Sequence, residues 1–158
     1  MSETTIPTLY EWVGNAESFT RLINTFYDKA IGDALLNPLF DQMPPQHRRH
    51  VAEWFTEIFG GPKVYSAPYN ADESAHHHMI SAHLNLSISE EQRKRWVQLM
   101  CDAADDVHLP ADPEFRSAFV AYVEWGTRMA LMFSKPGMKA PLHEPMPYCG
   151  WGERPPYM

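Results

Sequence analysis

Cysteine is scarce in this chain of 158 residues, with only Cys101 and Cys149 present. Two thiols so far apart in sequence make neither a disulfide framework nor a zinc motif, and Cys101 falls on an apolar helix face as a free thiol. Long hydrophobic runs are missing as well. Nothing approaches the roughly 20 apolar residues that cross a bilayer, and the start MSETTIPTLYEW has no apolar targeting core, so a membrane role is excluded and the cytoplasm is the expected compartment. Positive charge is limited to the short clusters Arg48-Arg49 and Arg93-Lys94-Arg95 against a net charge of −7, which argues against nucleic acid as a partner. There is no alternating strand pattern, internal repeat, P-loop, serine elbow, glycine fingerprint or pair of catalytic carboxylates.

What the chain does have is helical periodicity and aromatic side chains. Its 44% hydrophobic content suffices for one buried core in a single domain of this length. Thr8 is positioned to cap a short turn over Leu9 to Val13, which stops at Gly14. Asn15 opens a stronger helix in which Phe19, Leu22, Ile23, Phe26, Tyr27 and Ala30 recur at helical spacing. Short apolar turns follow around Pro38. After Pro44-Pro45 comes a helix with the stripe Val51, Trp54, Phe55, Ile58 and Phe59, ended by Gly60-Gly61-Pro62.

A loop over Lys63 to Asn70 leads to a helical piece from about Asp72 to Ala82. Ser89 with Gln92 forms a capping box for a helix carrying Trp96, Val97, Met100 and Cys101. Asp112-Pro113 starts the last long helix, through Phe115, Phe119, Tyr122, Val123 and Phe133. Residues 135–158 hold six of the fourteen prolines, together with Tyr148, Trp151 and Tyr157. Such a tail is not helical; it either packs on the body or a partner or stays disordered. The expected division is a helical domain over 1–134 and this tail over 135–158.

Eight histidines are the candidate ligands. His83 stands out because it closes an amphipathic helix among Met79, Leu84 and Leu86 and has no local carboxylate to pair with. Imidazole is a good iron ligand, and Trp96, thirteen residues on, brings an indole N–H that only donates. The triplet His76-His77-His78 cannot point all its rings at one metal, since successive helical residues diverge by about 100°, and it reads as a solvated turn. His47 and His50 make at most half of a metal site, and no long helix adds a Glu-x-x-His pair. A plain helical core accounts for Phe26, Phe40, Trp54, Phe55, Trp96 and Met100 taken alone; joined to His83, the pattern fits a flat, apolar, iron-bearing cofactor. A haem-free bundle binding zinc through His47, His50 and His76 to His78 remains the other reading of these residues.

Taken in order, Phe26-Tyr27, Phe40, the helix end Phe59-Gly60-Gly61-Pro62 with Tyr65 beyond, His83, and Trp96 resemble a truncated haemoglobin, most closely one of group II. The likeness spans roughly Leu9 to Ser134. It implies an all-α fold, a two-over-two helical sandwich around haem b. Carried over by position, His83 resembles the proximal iron ligand, and Tyr27, His47, Val51 and Trp96 resemble the distal ligand-binding positions. Phe40 resembles the aromatic packed on the haem, with Trp54, Phe55, Tyr65, Met79 and Met100 as further haem contacts.

The resemblance implies reversible binding of O2, CO, NO or other small ligands, by a monomer or homodimer. The same pocket also suits NO dioxygenation or peroxidation, and sustained NO dioxygenation would need an external reductase because no reductase domain is fused. A haem-based sensor whose tail meets a partner is a further alternative. Two positions depart from the family pattern. Phe40 stands where some group II members carry a second tyrosine, and Ala82 stands where an arginine often precedes the proximal histidine. Lys63, Tyr65, His76 and His78 are left as candidate propionate partners, on a stretch from Lys63 to Ala82 that is longer than usual.

Overall fold

Seven helices, Leu9–Val13 (α1), Ala16–Ile31 (α2), Asn37–Phe40 (α3), His47–Ile58 (α4), Ala75–Ser81 (α5), Glu90–Asp106 (α6) and Pro113–Phe133 (α7), make up the secondary structure of the computed structural model, which describes residues 5–70 and 72–158. No strand occurs among the described residues. Side-chain caps start the helices where the sequence suggests. Asn15 accepts from the Ser18 amide, Asp112 from the Phe115 amide, and Thr8–Glu11 and Ser89–Gln92 each close a reciprocal box.

The four long helices pair as α2 with α4 and α6 with α7, and α2 also lies along α6, so that two helices sit over two. The seam is phenylalanine-rich. Phe19, Phe26, Phe55, Phe59, Phe115 and Phe119 are fully buried, each removal from water contributing about 1.5–3 kcal/mol. Phe59 stacks on Phe19 and Phe119, with ring centroids 5.5 and 6.2 Å away, which links α2 to α7 through the end of α4.

The Gly60-Gly61 pair ends α4 and lets α1 dock. Gly60 has φ +100°, and a Cβ there would come within 2.7 Å of the Thr8 Cβ; at Gly61 it would come equally close to the Tyr10 ring. That close approach permits the Tyr10 amide to donate to the Phe59 carbonyl at 2.8 Å. Charge enters the interior at Glu57 and at Arg93. The Arg93 guanidinium, 5% exposed, bonds Glu90, Glu124 and Thr127 and so ties the start of α6 to α7.

The structure moves one helix start and decides between the two readings of the tail. The helix expected from about residue 72 begins at Ala75, because Asn70 Oδ1 accepts from the Asp72 and Glu73 amides and holds a turn, leaving Ser74 as the cap. The tail, open between packing and disorder in the sequence, lies on the body. The Cys149 amide donates to the Ile58 carbonyl, the Trp151 indole donates to the Pro7 carbonyl at 2.8 Å, and the Trp151 ring meets Trp12 edge-on.

Candidate functional site

His83 follows α5 by one residue, at the turn where the chain leaves the helix. Its Nδ1–H donates to the Met79 carbonyl at 2.9 Å, which assigns the lone pair to Nε2 and sets the ring's direction. Nε2 has no hydrogen-bond partner among the described residues. The loop beyond is fixed by the end of α7: the Ser87 amide donates to the Ser134 carbonyl and the Ile88 amide to the Ser134 hydroxyl. Asn85 and Ser87 take positive φ to make that turn. His83 is thus held from both sides, with one nitrogen left for coordination.

A second, polar-tipped aromatic group gathers side chains from α2, α3, α4 and α6. The Tyr27 hydroxyl lies 2.7 Å from His47 Nε2, joining α2 to the first residue of α4. Phe40 and Phe26 meet the Tyr27 ring edge-on at 5.3 and 4.9 Å, and the Arg48 guanidinium, paired with Asp28, lies 5.8 Å from the ring centre. Trp96, from the second turn of α6, packs on Phe26 at 4.6 Å. Among the five tryptophans, Trp12, Trp54 and Trp151 spend their N–H on Asp112, Tyr122 and Pro7, while Trp125 is exposed. Trp96 is the half-buried one whose N–H has no partner among the described residues.

Burial dominates the electrostatics. It pushes the Tyr27 hydroxyl well above the ordinary phenol range, against the pull of Arg48, so Tyr27 remains a neutral donor. His47 is brought down to about 4, first by burial and then by repulsion from His83 and His50 as cations. That coupling puts the His47 and His83 rings within range of each other's charge. His83 is also lowered by burial, with the Met79 bond opposing.

The sign follows from linkage. An unfolded chain protonates His47 near pH 6.5, whereas the folded chain refuses the proton until about pH 4. The stability contributed by neutral His47 is complete above pH 6.5 and is lost as pH falls toward 4. The urea midpoint of the purified chain is therefore expected to fall across this window, and His47→Gln is expected to flatten the fall; an unchanged slope in that variant would count against the assignment.

The other candidates are spread around this centre. Val51, one turn past His47 on α4, is half-buried, as are Phe40 and Met79. Trp54 donates to Tyr122 at 2.5 Å and meets Tyr65 edge-on at 5.1 Å. Phe55 is buried among Phe19, Phe59 and Tyr122, and Met100 is fully buried. The loop carrying Tyr65 is fixed by Glu57, whose Oε1 accepts from the Tyr65 and Ser66 amides. Lys63 is exposed.

The triplet His76-His77-His78 is not a solvated turn. It lies within α5, with His76 buried and the His76 and His77 rings bonded to tail carbonyls. His78 stacks on Tyr69 and lies 3.6 Å from Glu73. His50 is exposed, and no group of three His, Cys, Asp or Glu able to hold a metal ion gathers among the described residues, which leaves the zinc reading without a site. Sequence reasoning missed Tyr122 as the partner of Trp54 and Arg48 as the cation beside Tyr27. Neither has a local signature, because both contacts join different helices.

The residues present suit a flat apolar group. Phe40, Val51, Met79 and Trp96 pack against the core yet keep uncovered surface. One of them, Met79, holds the His83 imidazole through its carbonyl.

Comparison with known proteins gives the same architecture. The family described as bacterial-like globin matches residues 8–125. The group 2 truncated hemoglobin YjbI of Bacillus subtilis (strain 168) is 30% identical over 103 residues, covering 65% of this chain and 74% of that protein. Among solved structures, the group II truncated hemoglobin from Bacillus anthracis superposes with a TM-score of 0.70 at 20% identity, over 81% of this chain and 93% of that one. The truncated oxygen-avid haemoglobin from Bacillus subtilis superposes at 0.67 with 26% identity, over 79% and 99%.

Proposed function

Because the chain belongs to the bacterial-like globin family, as a truncated haemoglobin of group II, we propose that it binds haem b through His83 and reversibly holds dioxygen or another small diatomic gas. Haem-based ligand binding is what the family implies. The observation that carries it is the His83 ring, whose Nδ1–H is spent on Met79 while Nε2 has no partner among the described residues.

Haem held by this chain would supply an iron coordination position for a small gas. The rest is done by this chain. Met79 fixes the tautomer and direction of His83, a partner of the kind that tunes metal affinity. Phe40, Val51, Met79 and Trp96 cover the apolar faces. Tyr27 O–H and Trp96 N–H are the donors toward the gas, and His47 governs how much of the Tyr27 hydroxyl is available. The tyrosine donates freely to a ligand when Nε2 of His47 carries the proton, and only after breaking its bond to His47 otherwise.

The oxygen-avid relative from Bacillus subtilis supports dioxygen as the leading ligand. Residues 1–134 are read as the globin domain and 135–158 as an element added to it. The purified protein is expected to show a Soret band that shifts on adding CO. A colourless protein that takes up no added haem would refute this reading.

A further inference from the structure

α5 is weakly supported by the other helices. The broad helix–helix contacts among the described residues are α2 with α4, α2 with α6, α6 with α7, and α2 with α3, and α5 takes part in none of them. It is seven residues long, too short for its own hydrogen bonds to keep it in place. Yet the last turn of α5 supplies the Met79 carbonyl that orients His83.

The tail supplies what the helices do not. The Ser74 amide, at the N-cap of α5, donates to the Leu142 carbonyl at 2.9 Å. One residue into the helix, His76 Nδ1–H donates to the Pro145 carbonyl at 2.9 Å, and His77 Nδ1–H donates to the Pro141 carbonyl at 2.9 Å. The tail is itself anchored further on, through Cys149 to the end of α4 and through Trp151 to Pro7. The His76 ring lies against Trp54 and Trp125, and its buried Nε2 has no partner among the described residues. Among those residues the bond at Nδ1 is the one hydrogen bond that holds this ring.

We propose that residues 141–151 form a strap that positions the proximal side of the site, with His76 and His77 as positioning residues that hold α5 where Met79 aims the His83 imidazole. This rests on the assignment of His83 as the iron ligand. The strap acts at a distance from the gas: it restricts movement of the imidazole toward or away from the iron, and so sets the strength of the iron–histidine bond. The sequence separates these partners by more than sixty residues, which is why the histidine triplet looks idle when read alone.

The test uses the full-length haem-loaded chain with His76→Phe, His77→Phe and His77→Gln. Two quantities are read: hydrogen exchange of the α5 amides, and the iron–histidine stretching band of the reduced protein by resonance Raman. Losing one such bond is expected to speed α5 exchange by about three- to tenfold, and to shift the band in both Phe variants. Glutamine keeps an N–H donor at position 77 and is expected to restore both quantities. If His76→Phe fails to fold, His77→Phe, at a half-buried position, carries both measurements. Unchanged exchange in the Phe variants overturns the proposal, as does faster exchange with an unmoved band. A wild-type protein with no iron–histidine band overturns the His83 assignment, and the strap's role in aiming it, even where exchange responds; failure of the strap alone leaves that wild-type band in place.

Discussion

Replacing His83 with alanine is expected to abolish stable haem binding, while His47→Ala retains it. The nitrogens of the two histidines are committed differently. His83 Nδ1 is fixed by the Met79 carbonyl and Nε2 is bare, whereas His47 Nε2 is already engaged with the Tyr27 hydroxyl. Partners that merely orient a metal ligand are worth about 10–100-fold in affinity, so deleting the ligand itself should exceed about a hundredfold. The fold should survive, since His83 is half-buried at a turn and outside the phenylalanine seam. Haem transfer to an acceptor globin, followed by the Soret band, measures the loss, and circular dichroism checks the helices. A His83→Ala protein that keeps five-coordinate histidyl haem would sink the assignment.

Dioxygen dissociation is expected to quicken by about ten- to hundredfold in Trp96→Phe, from the roughly 1.5–3 kcal/mol that a hydrogen bond to a charged group is worth. Trp96 is the candidate for the larger effect because its N–H has no competing partner among the described residues, while Tyr27 must divide its hydroxyl between ligand and His47. Tyr27→Phe is accordingly expected to give a smaller increase. His47→Leu removes the competitor and is expected to slow dissociation if the Tyr27 proton is the one shared. Stopped-flow displacement of O2 by CO gives these rates directly. An unchanged rate in Trp96→Phe would reduce Trp96 to a packing residue on Phe26.

Helix starts were readable because capping is local. Asn15, Ser89 and Asp112 each bond an amide three residues ahead, so their signature fits inside four letters of sequence. His83 could be proposed for a related reason: an imidazole at a helix end with apolar neighbours and no carboxylate near it is a local pattern. The misreading of His76-His77-His78 has the opposite cause. Their partners, Pro145 and Pro141, lie 69 and 64 residues away and contribute main-chain carbonyls, which every residue has and no sequence pattern marks. Trp54 and Tyr122 are hidden in the same way, 68 residues apart.

Sequence alone determined an all-helical single core, the order of its helices and the closing glycines at Gly60-Gly61, and it offered His83 as a candidate, because periodicity, capping and ligand chemistry all act over a few residues. Tertiary structure decided which nitrogen of His83 is bare, that Tyr27 and His47 share a hydrogen bond, that the N–H of Trp96 alone stays uncommitted among the half-buried tryptophans, and that the tail lies bound to α5. These outcomes depend on where a carbonyl or hydroxyl from a distant segment comes to rest. Packing of the whole chain sets that position.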